Sequence, residues 1–290
     1  MNAVPVLFLE RVASSFDLKK ALLFGRTLSG LFGEIASESY EKGFDHSVVI
    51  SNGQLRIEAF FNWEGQQIEV AATSRKQPRY TSIIISPGQR KYSTDTVALQ
   101  KIVNAARGRH VLLDLKTSYI SEEIGKCLES IESALYLKLC AAIKGNVPRI
   151  MESLLRKNIL NILEIADHVE IEDQTTQILV DLLKQDQFHK MFVRGNALHF
   201  IKEIIANWSE NSEGMAGKEI FCYIAFVDLK FLDEFGFEED AERDAERLYP
   251  FAVHWNNNSK SYVLRSQKGG KLFCIVRERL TYQTAFVFAD

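Results

Sequence analysis

The sequence predicts an α/β protein, α+β overall, and three observations carry that expectation. Apolar residues alternate with period two on both sides of Asn52-Gly53, the pattern of a half-buried hairpin. Between residues 95 and 235, short apolar-x-apolar cores recur among helical patterns. From Ser261 onward the chain returns to period two around Gly269-Gly270.

The elements follow in chain order. Pro5 suits the first turn of a helix, and Leu7, Phe8, Arg11, Val12 and Ser15 share one helical face. Asp17 can cap a second short helix that Gly25 ends. A third helix, Leu28–Tyr40, puts Leu28, Leu31, Phe32, Ile35, Ala36 and Tyr40 on one side. Together they form a helical module over residues 1–43.

Residues 44–94 read as an antiparallel β-meander. Ser47–Ser51 and Gln54–Asn62 flank Asn52-Gly53, whose residues accept the positive φ of a tight hairpin turn. Gln67–Ala72 follows a second turn at Trp63-Glu64-Gly65-Gln66, and Tyr80–Ile85 ends before Pro87-Gly88.

Residues 95–235 read as irregular α/β repeat units. The cores are Leu113-Asp114-Leu115, Leu137-Lys138-Leu139, Leu163-Glu164-Ile165, Met191-Phe192-Val193 and Ile224-Ala225-Phe226, and the interval between them lengthens along the chain. Helical patterns at Pro148–Lys157, Thr175–Lys184 and Asn196–Trp208 separate them. An αβ unit repeated at such intervals is similar to leucine-rich repeats. The regular Asn/Cys ladder position is absent and the spacing drifts, so an ordinary α/β sheet stands as the alternative. Residues 236–290 complete the chain with an acidic helix, Glu238–Leu248, and a C-terminal β-meander of Ser261–Arg265, Lys271–Arg277 and Thr284–Phe288.

At 290 residues and 33.0 kDa, with 46% hydrophobic and 25% charged residues, the chain can bury a core without staples. Val4–Leu9 is too short for the apolar centre of a signal peptide. No run approaches ~18 apolar residues, so no membrane span is expected. Cys127, Cys140, Cys222 and Cys274 show no CxxC spacing, which fits reduced thiols in an intracellular protein, cytoplasmic or nuclear. The six histidines form no ligand pair, so no metal is expected.

No catalytic word stands out. There is no G-x-S-x-G elbow, no G-x-G-x-x-G and no phosphate loop. The expectation is a non-enzymatic chain without cofactor. The formal charge of −3 conceals two opposed segments: residues 75–109 carry net +7 and residues 232–249 carry net −6. In the basic segment, Arg75, Lys76, Arg79, Arg90, Lys91, Lys101, Arg107 and Arg109 are interleaved with Tyr80 and Tyr92. Such a mixture can track phosphates and stack bases, giving a nucleic-acid partner as the alternative. A pI of about 6.1 argues for a solvated face instead.

Several words resemble the F-box and F-box-associated proteins expanded in nematodes. They are Val4-Pro5, Phe8-Leu9-Glu10-Arg11-Val12, Leu28–Ala36 with Tyr40, Leu179–Lys190 ahead of Trp208, and Met215-Ala216-Gly217-Lys218. An F-box binds a Skp1-type adaptor of a ubiquitin ligase through apolar side chains. The resemblance implies that Val4, Pro5, Leu7, Leu9, Val12, Leu18 and Phe32 do so here, Phe32 standing where relatives often carry Trp. Val4 replaces the usual Leu, only Asp17-Leu18 meets the Asp-Leu-Leu stretch, and a Val-Cys-Lys word is missing. The other reading is that these helices cap the repeat sheet. The implied function is protein binding, with the repeat region presenting a substrate to the ligase.

Overall fold

Alternating burial and helical periodicity sort the chain into the expected mixture of helices and strands. The computed structural model describes residues 27, 30–51, 54–62, 64–69, 77–87, 96–107, 110–210, 214–223, 230–240, 259–266, 269–277 and 283–289. The first two expected helices, the start of the third, and the helix expected beyond Asp240 lie outside them. The chain divides into two compact units, residues 1–112 and 113–290.

In the first unit, α1 (Leu31–Lys42) follows Gly30, which has φ +80°. It buries Ile35 and Ala36 and leaves Leu31 half exposed. Strands β1 (Gly43–Ser51) and β2 (Gln54–Phe61) pair antiparallel, with Ser51 opposite Gln54. β3 (Gln67–Ile68) adds to β2 as a two-residue strand.

Here the meander ends. β4 (Gln77–Ser86) lies beside β1 and runs parallel to it, giving the order β4-β1-β2-β3. The physical reason is the apolar side of β4, where Ile83 and Ile85 are buried and alternate with the half-buried Ser82, Ile84 and Ser86. The register sets Val48 against Ile83 and Ile50 against Ile85, all four buried. α2 (Thr96–Ala105) buries Leu99, Ile102 and Val103.

The second unit is built from successive β–α steps. β5 (His110–Leu115) runs across the division of the chain. After it come α3 (Glu122–Glu129), β6 (Ala134–Leu139), α4 (Val147–Arg156), β7 (Leu160–Ile165), α5 (Asp173–Leu183), β8 (Lys190–Asn196), α6 (Leu198–Glu210) and β9 (Glu219–Tyr223). The strands lie side by side in chain order, β5-β6-β7-β8-β9, and β6 to β9 are parallel. Crossovers between parallel strands are right-handed almost without exception. Repeated without reversal, they set α3 to α6 on one side of the sheet, and each helix packs on the next.

Local chemistry punctuates each step. Ser121 Oγ accepts a hydrogen bond from the Ile124 N–H at the start of α3, as an N-cap should. At the helix ends, a side chain of the next step reaches back to the free carbonyls. Lys157 donates to the carbonyls of Glu129 and Ile131. Gln185 Nε2 donates to the Leu155 carbonyl at 2.6 Å. Lys218 Nζ lies 2.7 Å from the Gln185 carbonyl and 3.1 Å from that of Asp186. Gly195 in β8 packs so closely on Asp167 that an added Cβ would lie 2.7 Å from its carbonyl oxygen.

One boundary differs from the sequence reading, and one expected core lies outside the described residues. The last parallel strand is Glu219–Tyr223, whereas Ile224-Ala225-Phe226 lies outside the described residues. Glu238–Glu239 is β10, an edge strand against β11, rather than the start of a helix. A short helix, α7 (Phe231–Phe235), ends at Gly236 with φ +76° and turns the chain into it.

β11 (Ser259–Arg265), β12 (Lys271–Arg277) and β13 (Gln283–Ala289) form the expected C-terminal meander, and β13 joins β9 antiparallel. On the helix side, Phe288 meets Trp208 of α6 and Phe286 meets Phe231 of α7. On the opposite side Val263, Phe273, Ile275, Ala285 and Val287 form an apolar cluster, with Phe221 packed against it. Among the described residues no helix is long and apolar enough to cross a membrane.

Candidate functional site

Strand residues point alternately to opposite faces. In β6 to β9 one set consists of Leu137, Leu139, Leu163, Ile165, Met191, Val193, Ile220 and Cys222, all buried. This is the set beneath the helices. The alternate set lines a face that no helix of this series covers, and there most of the side chains are charged or aromatic.

Strand register arranges this face in two rows. One runs Tyr136, Ile162, Lys190, Glu219; the other runs Lys138, Glu164, Phe192, Phe221. Glu164 is the centre. Its side chain is 8% exposed, and the Tyr136 hydroxyl donates to it. Lys138 Nζ lies 3.1 Å and Arg194 Nε 2.8 Å from the same oxygen, Oε1. Burial pushes the Glu164 carboxyl up, but the Tyr136 hydroxyl and the two cations outweigh it and hold the pKa below the ordinary 4.5. Burial and the adjacent carboxylate push the Tyr136 phenol well above its ordinary range.

Around this centre the pattern repeats. Lys116 pairs with Asp114 at 3.6 Å, and Lys190 with Glu219 at 2.8 Å. Lys190 also lies 5.8 Å over the Phe221 ring, which stacks on Phe192 with centroids 5.1 Å apart. The face therefore offers stacked aromatics beside a patch of paired charges.

The four cysteines are free thiols; Cys127, Cys222 and Cys274 are buried and Cys140 half-buried. Burial raises the pKa of all four, which makes them poor nucleophiles. Among the described residues no three His, Cys, Asp or Glu side chains gather as a metal site.

Of the residues expected to bind an adaptor, Val4, Pro5, Leu7, Leu9, Val12 and Leu18 lie outside the described residues, and Phe32 is described only as part of α1. Of the basic set, Arg75, Lys76, Arg90, Lys91, Tyr92 and Arg109 lie outside them, and Arg79 is described only as part of β4. Tyr80 donates its hydroxyl to Asp45 at 2.8 Å, and Lys101 and Arg107 are exposed at α2 and its end. In the acidic segment, Glu234 pairs with Lys202 at 2.7 Å and Asp240 is buried, accepting from Ser261. Met215-Ala216-Gly217-Lys218 forms the turn into β9. Its Lys218 is buried, and that burial pushes its ammonium pKa down.

Sequence reading missed Glu164 and its partners as a group. The signal lies in the middle position of each apolar-x-apolar core, since Asp114, Lys138, Glu164 and Phe192 are those middle residues. Comparison with protein-family models, with curated proteins and with solved structures finds no match for this chain.

Proposed function

We propose that this chain is a non-enzymatic protein-binding module whose recognition surface is the helix-free face of β5 to β9. The observation that carries the reading is the strand order. Successive parallel strands with all crossovers on one side leave the other side as a broad side-chain surface. The stacked Phe192 and Phe221 beside Lys138 and Arg194 give that surface aromatic and guanidinium groups of the kind enriched at protein interfaces.

The F-box resemblance supports a second element of the same proposal: the N-terminal helical module docks a Skp1-type adaptor, and the sheet face holds the protein to be ubiquitinated. A pull-down with purified adaptor tests this element. Full-length wild type retains the adaptor, and the double variant Leu9→Asp, Val12→Asp does not. Failure of the wild type to retain it ends the ligase assignment and leaves protein binding to be judged on the face alone. For the face, proteins retained by the wild type and identified by mass spectrometry are lost with Phe192→Asp, Lys138→Glu. Equal retention by that variant, with an unchanged circular dichroism spectrum, removes the face from the proposal.

A further inference from the structure

The charges on the helix-free face are layered by depth. In each ion pair the acid lies low and the base stands above it. Glu164 is 8% exposed, whereas its partners Lys138 and Arg194 are 33% and 53% exposed. Asp114 is 20% exposed beneath Lys116 at 46%, and Glu219 is 20% exposed beneath Lys190 at 43%. A near-neutral group of residues thus turns a cationic layer outward.

We propose that this face binds an extended acidic segment of a partner protein, with an apolar side chain of that segment set against Phe192 and Phe221. The inference rests on the protein-binding reading above and names the chemistry of the partner. Lys138 and Arg194 converge on one oxygen of Glu164 and so form a single doubly basic spot. An incoming carboxylate there gains charge-assisted hydrogen bonds from heads already held in place. Lys190, at the start of β8, and Lys116, just past the end of β5, offer further contacts. The stacked rings supply the apolar neighbour that fixes the register of the segment.

The same layering disfavours a nucleic acid. A phosphate backbone binds by neutralising many charges and releasing counterions. Here four cations are offset by the three acids Asp114, Glu164 and Glu219 beneath them. A short peptide with a few carboxylates needs only the outer layer.

Selection of a random linear peptide library displayed on phage against the full chain tests the proposal. Peptides rich in Asp and Glu with one aromatic or aliphatic residue are expected, and their binding weakens as salt rises. The best peptide, labelled for fluorescence anisotropy, loses about tenfold or more in affinity with Lys138→Glu, Arg194→Glu. Lys138→Gln, Arg194→Gln is the companion variant should the reversal disturb folding. Unchanged affinity in a folded variant overturns the proposal. Enrichment of neutral or basic peptides that Phe192→Ser abolishes ends the acidic assignment and keeps the protein-binding face. Failure to enrich any peptide, or peptides insensitive to every variant on the face, ends both. Displacement of the peptide by oligouridine, with oligouridine itself sensitive to the same variants, gives the face to nucleic acid and overturns the proposal.

Discussion

The two faces of the β6–β9 sheet come from the same strands and differ only in which alternate residues they use. Under the helices, Leu137, Leu163, Met191 and Ile220 are wholly buried and apolar. On the other side, one position along in each strand, stand Lys138, Glu164, Phe192 and Phe221. The first face is held by area removed from water, and it tolerates little change in volume. The second is held by ion pairs and ring stacking of modest strength, so it can vary without loss of the fold. The contrast shows how a strand-helix repeat separates stability from recognition within a single strand.

Four substitutions measure that separation. Leu163→Ala leaves a cavity at a fully buried position and is expected to lower unfolding free energy by about 2–5 kcal/mol in urea titration. Lys218→Met strips the carbonyls of Gln185 and Asp186 of their donor and is expected to cost about 1–3 kcal/mol by the same measurement. A loss below about 0.5 kcal/mol would show that these carbonyls find other partners.

Glu164→Gln removes the charge that Lys138 and Arg194 share, at an expected cost of about 1–2 kcal/mol at neutral pH. Its effect depends on pH in a definite direction. The folded-state pKa of Glu164 lies below its ordinary 4.5. Its stabilisation is therefore full above the unfolded value and lost as pH falls through the folded one. The difference between wild type and Glu164→Gln should shrink on acidification below about pH 4.5. A difference that grows there would reverse the assignment. Arg194→Ala, at a half-exposed position, is expected to change stability by less than about 1 kcal/mol. Its larger effect should be on binding. If Arg194→Ala destabilises as much as Leu163→Ala, the two faces are not separate in function.

Much of the element list was legible because burial imposes a period. Leu113-Asp114-Leu115 through Met191-Phe192-Val193 lie in strands as expected, and Asn52-Gly53 falls between two paired strands. The parallel placement of β4 was not legible, since Ile83-Ile84-Ile85 names no partner. β2 and β3 intervene in the chain between β1 and β4, and the pairing is chosen by which apolar surfaces meet. The site was half legible. Asp114, Lys138, Glu164 and Phe192 fall in the strands expected of their cores, yet nothing local joins Tyr136, Glu164 and Arg194.

By itself the sequence determined the period of each segment, the places where paired strands follow one another and the separation of apolar from polar alternates, because those depend on neighbours close along the chain. Only the tertiary structure decided that β5 to β9 lie in chain order. It alone made Glu238–Glu239 an edge strand and gathered Tyr136 and Lys138 of β6 and Arg194 of β8 around Glu164. Those outcomes depend on register between distant strands, where one step along the chain moves every side chain to the other face.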